Sequence, residues 1–356
     1  MINSKPNVYV IAEAGVNHNG SLDLAFKLID AAASAGADAV KFQTFKTDKL
    51  VTKNATKAEY QIKTTNNKES AYEMLKSLEL TESDFEQLAK YANELNIDFL
   101  STAFDKDSLL FLVHQLHLKT LKIPSGEITN APLVLACARS KCNLILSTGM
   151  ATMDEIEEAL GVIAYGFIED EINKIPTIKD FKQAYASKQA TKLLNEKVTI
   201  LHCTTEYPAP IEEINLSAMN TMKDRFRLNI GYSDHTKGVE IAPIAVALGA
   251  QIIEKHFTLD VNMDGPDHKA SLEPDELKNM ICLIRNAEKS LGSGIKIPSL
   301  SETNNINIAR KSLCAEYKIS KGDIFSEENI SIKRPGGGIS PFKYWEFIGK
   351  KTKNNY

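Results

Sequence analysis

VYVIAEAGVNHNGSLDLAFKLIDAAASAGADAVKFQT, residues 8–44, decides the fold class. It opens on a β-branched run, VYVIAE (8–13), and passes into SLDLAFKLIDAAASAG (21–36). In that second segment Leu22, Ala25, Leu28, Ile29 and Ala32 recur at helical spacing, and Gly36 supplies a stop. A second strand, AVKFQT (39–44), closes the unit. Strand, helix and strand in this order make a parallel α/β fold. The unit then recurs, with strands predicted at DFLSTAF (98–104), TLKIPS (120–125), NLILSTG (143–149), VTILHC (198–203), LNIGYSDH (228–235) and QIIEKHF (251–257). The last helix is EPDELKNMICLIRNAEKSLG (273–292), with Leu277, Met280, Ile281 and Ile284 as its apolar stripe. Eight strand–helix pairs predict a (β/α)8 TIM barrel. A doubly wound sheet competes with it, but no Gly-x-Gly-x-x-Gly follows the first strand.

Two stretches depart from the alternation. Residues 45–69 are polar and lysine-rich and read as a long loop. Residues 164–197 exceed an ordinary connection and hold one predicted helix, DFKQAYASKQATKLLNEK (180–197). After Gly292 the texture changes to GSGIKIPSLSETNN, then to short strands and turns. The expected domains are a barrel over 1–292, a linker over 293–300 and a small, mainly β domain over 301–356.

The chain has 356 residues, 43% hydrophobic and 25% charged, with a net charge of −4. That balance disfavours a nucleic-acid or acidic-membrane binder, so any anion must be held by local lysines. No apolar run reaches the roughly 18 residues of a membrane span, and the N-terminus lacks a secretory pattern. The five cysteines, Cys137, Cys142, Cys203, Cys282 and Cys314, show neither disulfide nor metal-finger spacing, and point to a reducing cytoplasm.

Polar residues gather at the C-terminal ends of the predicted strands, where barrel active sites assemble. They are Glu13, Lys41, Gln43, Lys122, Ser125, Ser147, Thr148, His202, Asp234, His235, Glu254 and His256. His235 and His256 lie one strand-to-strand step apart and are candidate metal ligands; a hydrogen-bonded core histidine is the competing reading. Lys41 and Lys122 end apolar strands, where an unpaired lysine is costly. They read as grips for a phosphate and a carboxylate, or as ion bridges to Glu127, Glu254 or Asp234. Glu13 reads as a general acid or base, or as a partner of Lys41. Cys203 reads as a small buried residue, and no nucleophilic triad pattern surrounds it. Lys333-Arg334-Pro335 before Gly336, Gly337 and Gly338 is a constrained cationic loop or a surface turn.

At these residues the chain resembles the N-acetylneuraminate (sialic acid) synthase family, which includes legionaminic acid synthases. The resemblance is carried by IAEAGVNHNGS (11–21), AGADAVKFQTFK (35–46), FLSTAFD (99–105), LKIPSGEITN (121–130), ILSTGMAT (145–152), LHCTTEYPAP (201–210), GYSDHT (231–236), EKHFTLD (254–260), GPDHKASLEPDEL (265–277) and KRPGGGISP (333–341). It implies a TIM barrel followed by an antifreeze-like (SAF) domain, in a domain-swapped homodimer. It implies a transferase that condenses phosphoenolpyruvate with an N-acylated mannose-type sugar and water, releasing phosphate, with catalytic residues Glu13, Lys41, Lys122, His235 and His256. A divalent cation, Mn2+ or Mg2+, would be held by His235 and His256. Phosphoenolpyruvate would be bound by Lys41, Lys122, Ser125, Ser147 and Ser233. The sugar would meet Glu13, Gln43, Tyr207, Asp267 and, across the dimer, the partner subunit's Arg334. Departures are Ala103 where the family carries proline, the long 164–197 insertion, and an end at GKKTKNNY that predicts a missing last strand in the small domain. The acceptor is N-acetylmannosamine, giving N-acetylneuraminate, or 2,4-diacetamido-2,4,6-trideoxymannose, giving N,N'-diacetyllegionaminate. Another metal-dependent aldolase or hydrolase, and a non-catalytic carbohydrate-binding protein, are the readings from other classes.

Overall fold

A computed structural model describes residues 8–65, 69–169, 171 and 174–356. The N-terminal residues 1–7 read above for a secretory pattern lie outside the described residues, as do 66–68 of the lysine-rich loop and 170, 172 and 173 of the insertion. The chain divides into two compact units, Met1–Leu291 and Gly292–Tyr356.

The first unit is a closed, all-parallel eight-stranded barrel in chain order. Its strands are β1 (Tyr9–Gly15), β2 (Ala39–Thr44), β3 (Asp98–Ala103), β4 (Thr120–Ile123), β5 (Asn143–Ser147), β6 (Val198–Cys203), β7 (Asn229–Asp234) and β8 (Ile252–His256). β8 closes on β1, with Ile11 opposite Glu254 and Glu13 opposite His256. Successive side chains point to opposite faces of a strand. One parity therefore fills the barrel: Ile11, Ala39, Leu100, Ile145 and Leu201 pack together in its interior. The other parity, including Val10, Val40, Phe42, Leu144, Ile200 and Ile253, packs under the helices. The helix Leu22–Ala35 begins where Ser21 Oγ accepts the Leu24 N–H at 3.3 Å. It ends at Gly36, whose φ of 85° is the left-handed conformation that glycine adopts without strain.

The predicted long loop after β2 instead contains two short helices, Thr47–Leu50 and Glu59–Thr64, before Ala71–Leu78. Their stabilising contacts come from side chains that composition does not reveal. Glu79 accepts from the Thr47 N–H and hydroxyl, and Gln61 accepts from the Ala58 N–H. The insertion likewise holds two helices where one was predicted, Ile178–Tyr185 and Lys188–Lys197. Ser187 stops the first and caps the second through the Ala190 N–H. Phe181 packs edge-on against Tyr165 of the helix Met153–Ile168, ring centroids 5.4 Å apart, which fixes the insertion to the barrel's outer layer.

The second unit has an apolar centre of Ile319, Phe325 and Ile330, with Leu313, Tyr344, Phe347 and Ile348 around it. β9 (Ser312–Ala315) and β10 (Ile330–Lys333) pair antiparallel, and a helix, Leu300–Ala309, begins at the expected linker's last residue. The segment after Gly349 pairs back into the unit: Thr352 N donates to Asp323, and Ile319 and Tyr356 exchange backbone bonds of 2.9 Å. Among the described residues no helix is long and apolar enough to cross a membrane.

His18, in the loop after β1, makes the barrel sensitive to acid. It is buried, accepts the Gly20 N–H at 3.1 Å, and burial pushes its pKa down to about 4. The unfolded chain binds a proton near pH 6.5 that the native state refuses until about pH 4. Its stabilising contribution is present above pH 6.5 and is lost as pH falls toward 4, a loss of about 3 kcal/mol. Urea denaturation from pH 7 to pH 4 should reveal this slope, and His18→Asn should flatten it; an unchanged slope contradicts the assignment.

Candidate active site

The inward parity that packs apolar side chains low in the barrel brings charged ones together at its C-terminal end. Glu13 stands above Ile11, Lys41 above Ala39, Thr102 above Leu100, Ser147 above Ile145, and Glu254 above Ile252. Lys41 Nζ lies 2.6 Å from Glu13 Oε2 and 3.5 Å from Glu254 Oε2, and donates to Thr102 Oγ1 at 3.2 Å. Lys122 Nζ donates to both Glu254 oxygens, at 2.6 and 2.7 Å. Ser233 Oγ adds a bond of 2.9 Å to Glu254 Oε1, and Gln43 Nε2 one of 3.4 Å to Glu13 Oε1. Two lysines and two carboxylates thus form a buried, formally neutral cluster.

Burial opposes every charge in this cluster, and the partners decide which charges survive. Glu254 is held well below the usual carboxylate range because Lys122 and Lys41 outweigh its burial. Glu13 is pushed up to about 7, since burial and then the Glu254 charge outweigh its bond to Lys41. Burial also disfavours charge on Lys41, yet Glu13 and Glu254 raise its pKa. Burial lowers that of Lys122 despite Glu254. One carboxylate is firmly ionised, and the other carries a proton that is easily moved near neutral pH.

His235 and His256 meet at the rim, ring centroids 5.6 Å apart. His235 Nδ1 donates to the Thr204 carbonyl at 2.7 Å, which makes Nε2 the acceptor nitrogen, with Ser233 Oγ 3.4 Å from it. Burial, with His235 and Lys41 nearby, holds His256 far below its ordinary pKa and therefore neutral; its Nδ1 is buried with no protein partner among the described residues. Burial lowers the His235 pKa, but Cys203, the Thr204 carbonyl and Glu254 outweigh it and raise it above the ordinary histidine value. With His235 deprotonated, the two imidazoles fit a divalent ion that takes its other ligands from oxygen. Among the described residues no group of three or more His, Cys, Asp and Glu converges as a closed metal cage.

A second polar patch lies beside the cluster. Ser125 falls in a short turn, Ser125–Glu127, because Pro124 ends β4 before the predicted boundary. Its Oγ accepts the Gly149 N–H at 3.0 Å. Ser147 Oγ and Thr205 Oγ1 are buried without protein partners among the described residues. A Cβ on Gly149 would come within 2.2 Å of Thr205 Oγ1 and 2.8 Å of Ser125 Oγ, so this close approach requires glycine. Tyr207 stacks on His235 with centroids 4.2 Å apart. Asp267 is buried on the loop after β8, and burial raises its carboxyl to about 6. Its backbone carbonyl is held by Ser271 Oγ, which in turn accepts from Asn17 Nδ2 of the loop after β1.

Most of the sequence-derived site converges. Of the suggested lysine bridges, those from Lys122 and Lys41 to Glu254 both form; Glu127 bonds Asn130, and Asp234 pairs with Lys255. Thr148, His202 and Asp234 have the outward parity: Thr148 and His202 donate to the Leu201 and Ile214 carbonyls, and Asp234 bonds Thr236. Arg334 belongs to the second unit, on the exposed turn after β10. Cys203 is small and buried as read, and its Sγ also lies 3.7 Å from His235 Nδ1. Sequence reasoning placed Glu254 at the rim and offered it as an ion-pair partner but gave it no part in catalysis or binding, although its parity with His256 was available, and no role was read for Gly149 or Thr205.

A (β/α)8 barrel that gathers two lysines, two carboxyls and two histidines at its C-terminal mouth has the layout of a barrel enzyme's active site. Residues 28–296 match the NeuB family model. The chain is 52% identical to N,N'-diacetyllegionaminic acid synthase of Campylobacter jejuni, over 98% of this chain and 96% of that one. It is 45% identical to the synthase of the same name from Legionella pneumophila, covering 99% and 92%. Among solved structures, the N-acetylneuraminic acid (sialic acid) synthetase of Leptospira borgpetersenii superposes with a TM-score of 0.67 at 35% identity, covering 84% of this chain and 90% of that one. The chain belongs to the NeuB family and is a sugar-acid synthase.

Because Glu254 alone bonds both lysines, Glu254→Gln leaves two buried cations with a single carboxylate. The expected cost is about 3–5 kcal/mol of stability, measured by urea denaturation at pH 7. A change below about 1 kcal/mol would mean the cluster is hydrated and weakly coupled.

Proposed function

We propose that this enzyme condenses phosphoenolpyruvate with 2,4-diacetamido-2,4,6-trideoxymannose and water, giving N,N'-diacetyllegionaminate and phosphate. The observation that carries the chemistry is the pair of lysines converging on Glu254 beside the unpartnered hydroxyls of Ser147 and Thr205. The choice of sugar rests on the identity gradient. Two legionaminate synthases stand at 52% and 45%, whereas the sialic acid synthetase stands at 35%. N-Acetylmannosamine, with N-acetylneuraminate as product, is the second reading, favoured by the shared barrel of that synthetase.

In the absence of substrate, Glu13 and Glu254 compensate Lys41 and Lys122. Arriving phosphoenolpyruvate takes over lysine donors for its phosphate and carboxylate, and Ser125, Ser147 and Ser233 supply hydroxyls. Held in this way, the methylene carbon faces the open-chain aldehyde, which Gln43, Tyr207 and Asp267 orient. A divalent ion, Mn2+ or Mg2+, held by His235 and His256 would polarise that aldehyde as a Lewis acid. The alkene pair forms the new C–C bond, protonated Glu13 gives its proton to the aldehyde oxygen, and positive charge develops on the carbon bearing phosphate. Water adds to that carbon and returns a proton to Glu13, whose pKa near 7 suits the exchange. Phosphate then leaves by C–O cleavage and takes the proton of the new hydroxyl, so that the carbon becomes the ketone.

The partner subunit's Arg334 completes the sugar pocket in a domain-swapped homodimer. Phe342, Trp345 and Tyr317, all exposed on the second unit, are the apolar surface that such an exchange would cover. The second unit serves as the antifreeze-like domain. Five unpaired cysteines suit a cytoplasmic enzyme.

Phosphate release and product mass, followed with Mn2+ and each sugar in turn, test the reading. Turnover should be at least about tenfold more efficient with the diacetamido sugar, the scale of one well-placed contact; a preference for N-acetylmannosamine reverses the assignment. Removal of divalent metal should abolish release, and full activity in excess chelator would refute the two-histidine site. Gly149→Ala should lower Tm and, in the folded protein, raise KM for phosphoenolpyruvate at least about tenfold, because its Cβ displaces Ser125 and Thr205. An unchanged KM would remove that patch from the site.

A further inference from the structure

Directly behind the paired histidines lies an ion pair that the mechanism does not use. Asp234 and Lys255 are both 0% exposed, with Lys255 Nζ 3.0 Å from Asp234 Oδ2. They face each other across β7 and β8, one step after the inward pair Ser233 and Glu254. One residue further on, the chain turns inward again at His235 and His256. Lys255 Nζ also donates to the Thr236 carbonyl. Thr236 in turn donates to Asp234 Oδ1 from its backbone N–H at 2.9 Å and its hydroxyl at 2.7 Å. The residues flanking His235 on both sides are thereby tied to the residue preceding His256.

A fully buried ion pair contributes little net stability compared with apolar residues of similar volume. What this pair supplies is geometry. Backbone bonds hold the strands in register, but His235 lies just beyond the end of β7, where the ladder no longer fixes it. Beyond the strand it is held by Ala209 N bonding its carbonyl and by the Thr204 carbonyl, Tyr207, Cys203 and Ser233 around its ring, and none of these contacts ties it to β8.

We infer that the Asp234–Lys255–Thr236 triad is a positioning device for metal binding: it locks the ends of β7 and β8 so that the imidazoles of His235 and His256 converge on one ion. The inference rests on the two-histidine metal reading. Loosening the triad spreads the rings apart and weakens the ion's hold without touching either histidine or the lysine cluster. Outer partners of this kind typically change metal affinity by about 10–100-fold.

The test is Mn2+ titration of metal-stripped, full-length protein by calorimetry, with the paramagnetic resonance spectrum of the bound ion as a second readout. Asp234→Asn combined with Lys255→Met removes both charges and leaves no lone buried ion. This double variant should keep a Tm near the parent's and bind phosphoenolpyruvate without metal as before. Its Kd for Mn2+ should rise about 10–100-fold with a broadened spectrum. Thr236→Val keeps both charges and removes one hydroxyl bond; it should shift the Kd the same way by at least about threefold. A folded double variant with the parent's Kd and spectrum overturns the inference. If the double variant does not fold, an unchanged Kd in Thr236→Val overturns it. His235→Ala with His256→Ala is the control: parent protein that binds Mn2+ no better than this control refutes the metal reading. Parent protein that binds better, with unaltered triad variants, refutes the positioning role alone.

Discussion

Glu254 sits between two lysines at the bottom of the barrel mouth, and the rest of the site depends on that contact. Two ammonium groups a few ångströms apart in a dry interior would repel each other and be driven to lose their protons. A single ionised carboxylate reaching both prevents this. It keeps two cationic donors in place before substrate arrives, in a chain whose net charge is negative. Below the cluster the barrel is filled with aliphatic side chains, so the charged groups have only one another as partners.

That arrangement also explains the contrast between the two carboxylates. Glu254 contacts both lysines and Ser233 and stays ionised, whereas Glu13 has Lys41 and a long bond to Gln43. Two chemically similar groups thereby acquire different roles, one a permanent counter-charge and the other a proton carrier. The histidines at the rim follow the same logic, with burial keeping His256 neutral and a backbone carbonyl fixing the His235 tautomer.

The barrel was legible in the sequence because β-branched runs and helical stripes alternate without interruption, and AVKFQT and VTILHC were bounded to the residue. Lys41, Lys122, His235 and His256 were legible because a charged or ligating residue ending an apolar strand has few structural uses. Parity was harder to read. Thr148, His202 and Asp234 also end strands but turn toward the helices, and the two faces separate only once one residue per strand is known to point inward. Gly149 and Thr205 could not be found, since their meaning lies in a close approach between the loops after β5 and β6. The short helices after β2 escaped because their caps come from side chains such as Glu79, far along the chain.

The central claim is that the cluster holds its lysines charged and releases them to the substrate's anions. Calorimetric titration of phosphoenolpyruvate at pH 8, in buffers of different ionisation enthalpy, measures this directly. When Lys41 turns to the substrate, Glu13 loses its partner and gains a neighbouring negative charge, so its pKa climbs from about 7. The account predicts uptake of up to about one proton per site on binding, abolished in Glu13→Gln. Binding without proton uptake, or with the same uptake in Glu13→Gln, would contradict it.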